Sequence, residues 1–374
     1  MKSVALALLV MVSMAVAALL AITVADWKLE ADFARSVSAE VRRRPPHPFL
    51  QVLPRGQVTP VNAAGFRGEE IALPKPPGTF RIVTLGGSTT LGVANPYEES
   101  YPFLLQRRLR ERFPGRRIEV QNAAAAWYTT AHNIVSYDLH VRQVDPDVVI
   151  FFEAINDLAR SFSPPWFAQG RFQPDYGHYM GPYARFAGPE VEFIAEPRSR
   201  LDAWLSWRML MRRVHNDPTP FNQRDPDNVA RLMARMTPND APAFRSLPSY
   251  RQFYATLVHD VAADGHAVIV ASQPFVYRET LSDADRRRLY FAPIFCAEAG
   301  AYPSLSAMIR GMREFNAAAR AVADSQHVTF VDLEAAVPKD FDHFSDDVHL
   351  RRAGNDIIAT RFADAIVSMG LIRP

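Results

Sequence analysis

Hydrophobic residues are arranged along this chain in three ways, and each arrangement predicts a different kind of element. From Val4 to Ala25 the sequence is apolar apart from Ser13 and Thr23. That length matches the ~20 residues a helix needs to cross a bilayer core, and the segment has no polar face with which to sit half-exposed on a globule. Short aliphatic or β-branched runs follow at Arg81–Leu85, Ile118–Gln121, Val148–Phe152, Ala267–Ala271 and Val328–Leu333. Their unbroken apolarity predicts strands buried on both faces, as in a parallel sheet covered by helices. Between them, helical spacing runs through Tyr101–Phe113, His132–Val144, Tyr250–Ala263 and Met308–Ala323. A last helix over Ala353–Met369 carries Ile357, Ile358, Phe362, Ala365 and Ile366 at the same spacing. Alternating strand and helix predict an α/β doubly wound sandwich with a five-stranded parallel sheet.

One stretch breaks the alternation. About ninety residues separate the third strand from the helix near Tyr250, against the ~2–6 of an ordinary strand–helix loop. Its first third is dense in proline and aromatics, from Pro164, Pro165 and Trp166 to Tyr183 and Phe186, and Arg198–Val214 carries Leu201, Trp204, Leu205 and Trp207 in an amphipathic pattern. The expected organisation is a signal anchor over 1–25, a stalk and lead-in over 26–78, and a core in two parts, 79–157 and 246–374. An insertion over 158–245 would serve as lid or substrate wall. The run Leu73-Pro74-Lys75-Pro76-Pro77-Gly78 excludes regular structure just before the first strand.

Charge refines the picture at the N-terminus. Lys2 precedes the apolar segment and Asp26, Lys28, Glu30 and Asp32 follow it, a weak bias that leaves the N-terminus inside and the rest outside. Thr23-Val24-Ala25 offers an alternative, a signal-peptide cleavage site, but the apolar stretch exceeds the usual ~7–15 residues. Residues 4–25 are therefore expected to anchor the chain in an inner membrane, with the remainder periplasmic or extracellular. A near-balance of 42 basic and 40 acidic residues argues against a nucleic-acid partner. The 48% hydrophobic and 22% charged fractions exclude wholesale disorder. Cys296 is the only cysteine, which excludes an intrachain disulfide and a cysteine zinc cage.

Four blocks fall at the carboxyl ends of the predicted strands, where open parallel sheets bind ligands. Gly86-Gly87-Ser88-Thr89-Thr90 follows the first strand, and its glycines let the backbone turn sharply and leave Ser88 at the start of a helix. Asn122-Ala123-Ala124-Ala125-Ala126-Trp127-Tyr128 follows the second, its small residues allowing close approach to the backbone or simply tight packing. Glu153-Ala154-Ile155-Asn156-Asp157 follows the third. There Asn156 can donate a side-chain N–H into a pocket, and Asp157 can orient that amide or cap the next helix. Near the C-terminus stands Asp346-Asp347-Val348-His349, where a carboxylate three residues before a histidine can fix its tautomer. His132 and Trp127 can line a pocket, or begin a helix and pack. His343 near Asp342 and Asp346 lacks further ligand spacing, so no metal is expected. No dinucleotide fingerprint or phosphate loop is present, and no cofactor is expected. The nucleophile elbow Gly-x-Ser-x-Gly fails because Thr90 occupies the last glycine position.

In this order the four blocks resemble the SGNH hydrolases, the GDSL-type esterase and lipase superfamily. With Asn62-Ala63-Ala64-Gly65-Phe66-Arg67-Gly68 upstream, they look like its membrane-anchored bacterial branch. The resemblance covers roughly residues 79–157 and 246–374 and implies a flavodoxin-like sheet. It implies Ser88 as nucleophile, His349 as general base and Asp346 as its orienter. The oxyanion would be held by the Ser88 and Ala124 backbone N–H groups and the Asn156 side chain. Gly87 stands where the family name has Asp, and Ala124 and Ala154 replace the usual glycines; at either alanine a positive φ would bring strain. The expected activity is hydrolysis of carboxylic esters, short-chain and acetyl-type, on a small molecule or envelope glycan. The alternatives are O-acetyl transfer to exported polysaccharide on the same fold, and a membrane-tethered binding module without catalysis.

Overall fold

Strands apolar on both faces need helices on both faces, and the computed structural model of the chain supplies them. It describes residues 2–36, 59–162, 226–295 and 300–372. These fall into two units, the N-terminal helix and everything from residue 59 onward. The helix, α1 (Lys2–Ser36), contains at Leu8–Ala25 a stretch long and apolar enough to cross a membrane. It does not stop at Ala25 but runs on through the charged residues to Ser36, so the first part of the expected stalk is helical.

In the second unit the core strands are β1 (Thr79–Gly86), β2 (Arg117–Asn122), β3 (Val148–Phe152), β4 (Ala267–Ala271) and β5 (Thr329–Val331). All pair in parallel, in the order β2-β1-β3-β4-β5. The fold is the α/β sandwich read from the alternation. Its helices are α2 (Ser88–Leu91), α3 (Tyr101–Arg112), α4 (Thr130–Ser136), α5 (Ile155–Arg160), α6 (Leu247–Ala263), α7 (Leu305–Ser325) and α8 (Arg352–Ser368). Successive strand residues point to opposite faces. Thus Phe152 packs against Tyr101 of α3 and Phe362 of α8, while Phe151 packs against Tyr254 of α6. Tyr250 of α6 meets Phe315 of α7 on that second face.

Three features differ from the periodic reading. The helix expected over His132–Val144 is α4 followed by a wider π-type turn at Tyr137–Val141 and a tighter one at Arg142–Val144. Most of the proline- and aromatic-rich insertion lies outside the described residues. Its described end includes a short strand, Thr237–Asn239, which pairs with Ala301–Pro303. The partner strand belongs to a second irregular stretch between β4 and α7, which carries short helices at Asp283–Arg286 and Phe291–Phe295. Apolar periodicity left that stretch unassigned.

Residues 59–78 are part of the core unit rather than a stalk. Asn62 accepts from the Phe66 N–H and donates to Gln121 Oε1 at 2.7 Å, and Phe66 is buried against the His140 ring. Arg67 forms an antiparallel bridge with Asn122 at the end of β2. Its buried guanidinium then donates to the carbonyls of Leu91 (2.6 Å), Gly92 (3.0 Å) and Asn95 (3.0 Å), just past α2. A buried carbonyl without a donor carries its desolvation cost uncompensated. Arg67→Met, which keeps the bulk and removes the donors, is therefore expected to destabilise the core unit by about 2–4 kcal/mol. Urea unfolding of the full chain followed by far-UV circular dichroism measures this; a shift below about 0.5 kcal/mol would mean that water replaces the guanidinium.

Candidate active site

β1 delivers the chain to two glycines with different jobs. Gly86 has φ +153°, and a Cβ there would collide with Thr90 Oγ1 and come within 2.9 Å of the Phe152 carbonyl. Gly87 has an ordinary φ of −93°, but a Cβ would run into Glu153 Oε2 and lie 2.6 Å from Asn156 Nδ2. The first glycine is required by backbone conformation and the second by room. Aspartate could not replace Gly87 without displacing Glu153 and Asn156. The turn leads into α2, whose first residue is Ser88.

Ser88 is buried with His349 and Asp346. Its Oγ lies 2.7 Å from His349 Nε2, and His349 Nδ1 lies 2.8 and 2.9 Å from the two Asp346 carboxylate oxygens. A carboxylate only accepts hydrogen bonds. Nδ1 therefore carries the proton, and Nε2 presents a lone pair to the serine hydroxyl. Asp346 Oδ1 also accepts the N–H groups of Val348 (3.2 Å) and His349 (3.0 Å), which holds the carboxylate in the turn preceding the imidazole. The loop after β4 adds Tyr290, whose hydroxyl is 3.5 Å from Asp346 Oδ2.

The side-chain and backbone donors Asn156 and Ala124 have their hydrogens differently engaged. Asn156 Nδ2 donates to the Tyr128 carbonyl at 2.9 Å, which uses one of its two N–H groups. The Ala124 N–H donates to Asn122 Oδ1 at 3.1 Å, so in the resting chain that donor is occupied. Neither alanine in a glycine position takes a positive φ: Ala154 has φ −154°, and Ala124 is not among the residues of positive φ. The left-handed residue in this loop is instead Trp127, at φ 66°.

Several supporting residues carry no signal that singled them out in the sequence. Gln273 stands directly beyond β4, and its Oε1 accepts from the Ala154 and Ile155 N–H groups at 2.7 and 2.8 Å. Its Nε2 donates to Thr89 Oγ1 at 3.1 Å, so it ties the block after β3 to the nucleophile turn. A polar pair, Ser272-Gln273, directly after an apolar strand was the available clue. Asn133 Oδ1 accepts from the Gly86 N–H (2.9 Å), and Asn122 Nδ2 donates to the Thr90 carbonyl (2.8 Å). Asp157 takes neither role considered for it. Its carboxylate accepts from the Thr130 N–H and hydroxyl at 2.8 and 2.9 Å and pairs with fully buried Arg160 at 2.5 Å. His132 forms a reciprocal cap with Thr129 at the start of α4, and His343 Nδ1 meets Asp340 Oδ1 at 2.6 Å. Both histidines are thereby accounted for by local structure.

Fold and sequence agree on the class. The chain belongs to the GDSL-like lipase/acylhydrolase family, whose model matches residues 84–357. It is a hydrolase acting on ester bonds. No curated protein sequence matches it. Similar solved structures include LAE5, an alpha/beta hydrolase enzyme from the metagenome of Lake Arreo, Spain. That protein is 16% identical over 79% of this chain and 97% of its own, with a TM-score of 0.40. A catalytic mutant of an acetylxylan esterase from Geobacillus stearothermophilus is 14% identical over 79% and 97%, at TM-score 0.42. A GDSL-like lipase from Bacteroides thetaiotaomicron is 13% identical over 77% and 88%, at TM-score 0.39.

Buried carboxyls also occupy the blocks that carry the candidate site residues. Burial, reinforced by Asp157, pushes the Glu153 carboxyl well above the usual range, and burial raises Asp157 despite Arg160. Asp347 accepts from the Tyr277 hydroxyl at 2.8 Å and the Tyr290 N–H at 2.9 Å. Burial, and then the Asp346 charge, push it up to about 7. A carboxyl whose pKa is higher in the folded than in the unfolded chain binds its proton more tightly when folded. Its contribution is full below the unfolded value of about 4 and is lost as pH rises through about 7. Glu153 and Asp157 act with the same sign. Asp347→Asn is expected to remove the Asp347 share of the decline, flattening stability between about pH 4 and 7. Urea midpoints measured across that range check this, and curves parallel to the wild type would refute it.

Proposed function

We propose that the protein is a serine esterase of the cell envelope, with Ser88 as nucleophile, His349 as general base and then general acid, and Asp346 as the orienter of the imidazole. The observation that carries this reading is the continuous contact from Ser88 Oγ to His349 Nε2 to the Asp346 carboxylate, at 2.7 and 2.8 Å. Ser88 Oγ attacks the ester carbonyl as Nε2 takes its proton, and Asp346 stabilises the imidazolium. The imidazolium then protonates the leaving alcohol oxygen. Water, deprotonated by the same nitrogen, hydrolyses the acyl-enzyme. The oxyanion is held by the Ser88 N–H at the start of α2 and by the second N–H of Asn156. The Ala124 N–H joins them by sharing or leaving its bond to Asn122. Such a donor is worth about 10²–10³-fold in rate.

The reading places the reaction outside the cytoplasm, tethered by residues 4–25. It is supported by the apolar stretch Leu8–Ala25 in α1 and by the charges that flank it. The acyl group in this reading is short and acetyl-type. The aromatic insert after Asn156 is broken by Arg171, Asp175, His178 and Arg185, a polarity that suits a polar carrier better than a lipid chain.

In the full chain, reconstituted in nanodiscs, Ser88→Ala and His349→Ala are each expected to lower turnover of a short aryl ester by at least about a thousandfold, with unchanged circular dichroism. Ser88→Ala is also expected to abolish labelling by a fluorophosphonate probe. Turnover by Ser88→Ala comparable to wild type would overturn the assignment. Acetyl esters should exceed decanoyl esters of the same alcohol in kcat/KM, and a reversal of that order would assign a lipase instead.

A further inference from the structure

Trp127 is the one bulky side chain in the run Ala123-Ala124-Ala125-Ala126-Trp127, and it sits at φ 66°. A large aromatic residue rarely adopts this left-handed conformation, and such outliers persist where surrounding structure imposes them, typically at functional sites. The loop has another choice available, because glycine takes the same backbone without strain. The side chain is half-buried, whereas its neighbours Ala125 and Tyr128 are completely buried.

The position of the ring follows from its contacts. Trp127 packs against Phe291 with centroids 5.8 Å apart, and Phe291 packs against the His349 imidazole, also at 5.8 Å. Phe291 is buried and belongs to the short helix Phe291–Phe295, whose start is held by the Asp347 carboxylate through the Tyr290 N–H at 2.9 Å. The two rings thus form a backed surface running outward from the imidazole. On the other side of the same loop, the Tyr128 carbonyl holds the Asn156 amide.

Chemistry decides which half of the ester meets that surface. His349 Nε2 must reach the oxygen of the departing alcohol to protonate it, so groups packed beside the imidazole border the leaving group. The oxyanion donors border the carbonyl. We infer that Trp127, backed by Phe291, is a specificity-determining residue that stacks a ring-bearing alcohol, such as a pyranose carrying an O-acyl group. The inference rests on the ester-hydrolase reading and adds to it the class of alcohol. A planar ring backed by a second ring offers the apolar face of a pyranose a rigid contact at small entropic cost.

The test compares an O-acetylated methyl pyranoside with ethyl acetate, which has no ring to stack, as substrates of the full chain in nanodiscs. Trp127→Gly removes the ring and accommodates the backbone, and Trp127→Leu keeps apolar bulk without a flat face. Each is expected to lower the ratio of kcat/KM for the pyranoside over ethyl acetate by about tenfold, chiefly through KM. Trp127→Tyr should restore most of the ratio. Trp127→Leu keeps the test open should the glycine variant unfold. A ratio unchanged within about twofold in the variants that fold, or equal losses on both esters, would overturn the inference and make Trp127 a packing residue. Failure of the wild type to hydrolyse either ester, or turnover of both by Ser88→Ala, would instead remove the esterase reading on which it rests.

Discussion

The turn from Gly86 to Gly92 carries the serine, and most of what surrounds it exists to hold that turn. It lies at the end of β1, where the ladder no longer supplies partners, and a four-residue helix satisfies few of its own backbone groups. Buried peptide groups must nevertheless be paired. The partners come from five separate places in the chain. Asn133 takes the Gly86 N–H, Gln273 donates to the Thr89 hydroxyl, Asn122 donates to the Thr90 carbonyl, Arg67 covers the Leu91 and Gly92 carbonyls, and His349 meets Ser88 itself. Each comes from a different segment of the chain, so the serine is positioned only when the whole carboxyl edge is assembled.

The same demand explains the unusual density of buried charge. Glu153 is buried beside Gly87 and accepts from the Ala154 and Asn156 N–H groups, at 3.0 and 3.2 Å. Asp157 joins the loop after β2 to Arg160 and the start of α4. Asp347 anchors the loop after β4 through Tyr277 and Tyr290. Each acts as a multi-point acceptor for N–H or O–H groups that would otherwise be orphaned. Protonation offsets much of the desolvation cost of such burial, which is why the folded pKa values move upward. Asp346, linked to Ser88 by two hydrogen bonds through the imidazole, thus lies beside a carboxyl that takes up a proton readily.

Three of the four blocks were legible because each sits where a strand ends, and strand ends are marked by an abrupt change from β-branched residues to glycine, alanine or polar ones. Ser88 and Asn156 could be named that way, whereas Asp346 and His349 stand past a further helix at Leu333–Ala336 and were marked by their three-residue spacing. Gln273 obeyed the same rule, but glutamine has no characteristic role that would draw notice. Arg67 and Phe291 lie in segments with neither strand nor helical period, and their partners are distant in sequence: 24 residues separate Arg67 from Leu91, and 57 separate Tyr290 from Asp347. Nothing local marks such pairs. The segment 59–78 looked like a tether because prolines and polar residues dominate it, although Phe66 within it is fully buried.

By itself the sequence determined the elements and their order. Apolar runs of strand length and helical periods between them admit few arrangements, one of which is the 2-1-3-4-5 order that the sheet adopts. It also determined that a serine, an amide and an Asp–His pair end up on one edge, since each follows a strand of the same parallel sheet. Only the tertiary structure decided which hydrogens are available there. Whether Ala124 offers its N–H to a substrate or to Asn122, whether Asp157 caps a helix or clamps Arg160, and whether Trp127 takes a left-handed backbone all depend on atoms from remote segments. Hydrogen bonds act over about 3 Å, and no one-dimensional pattern specifies positions to that scale.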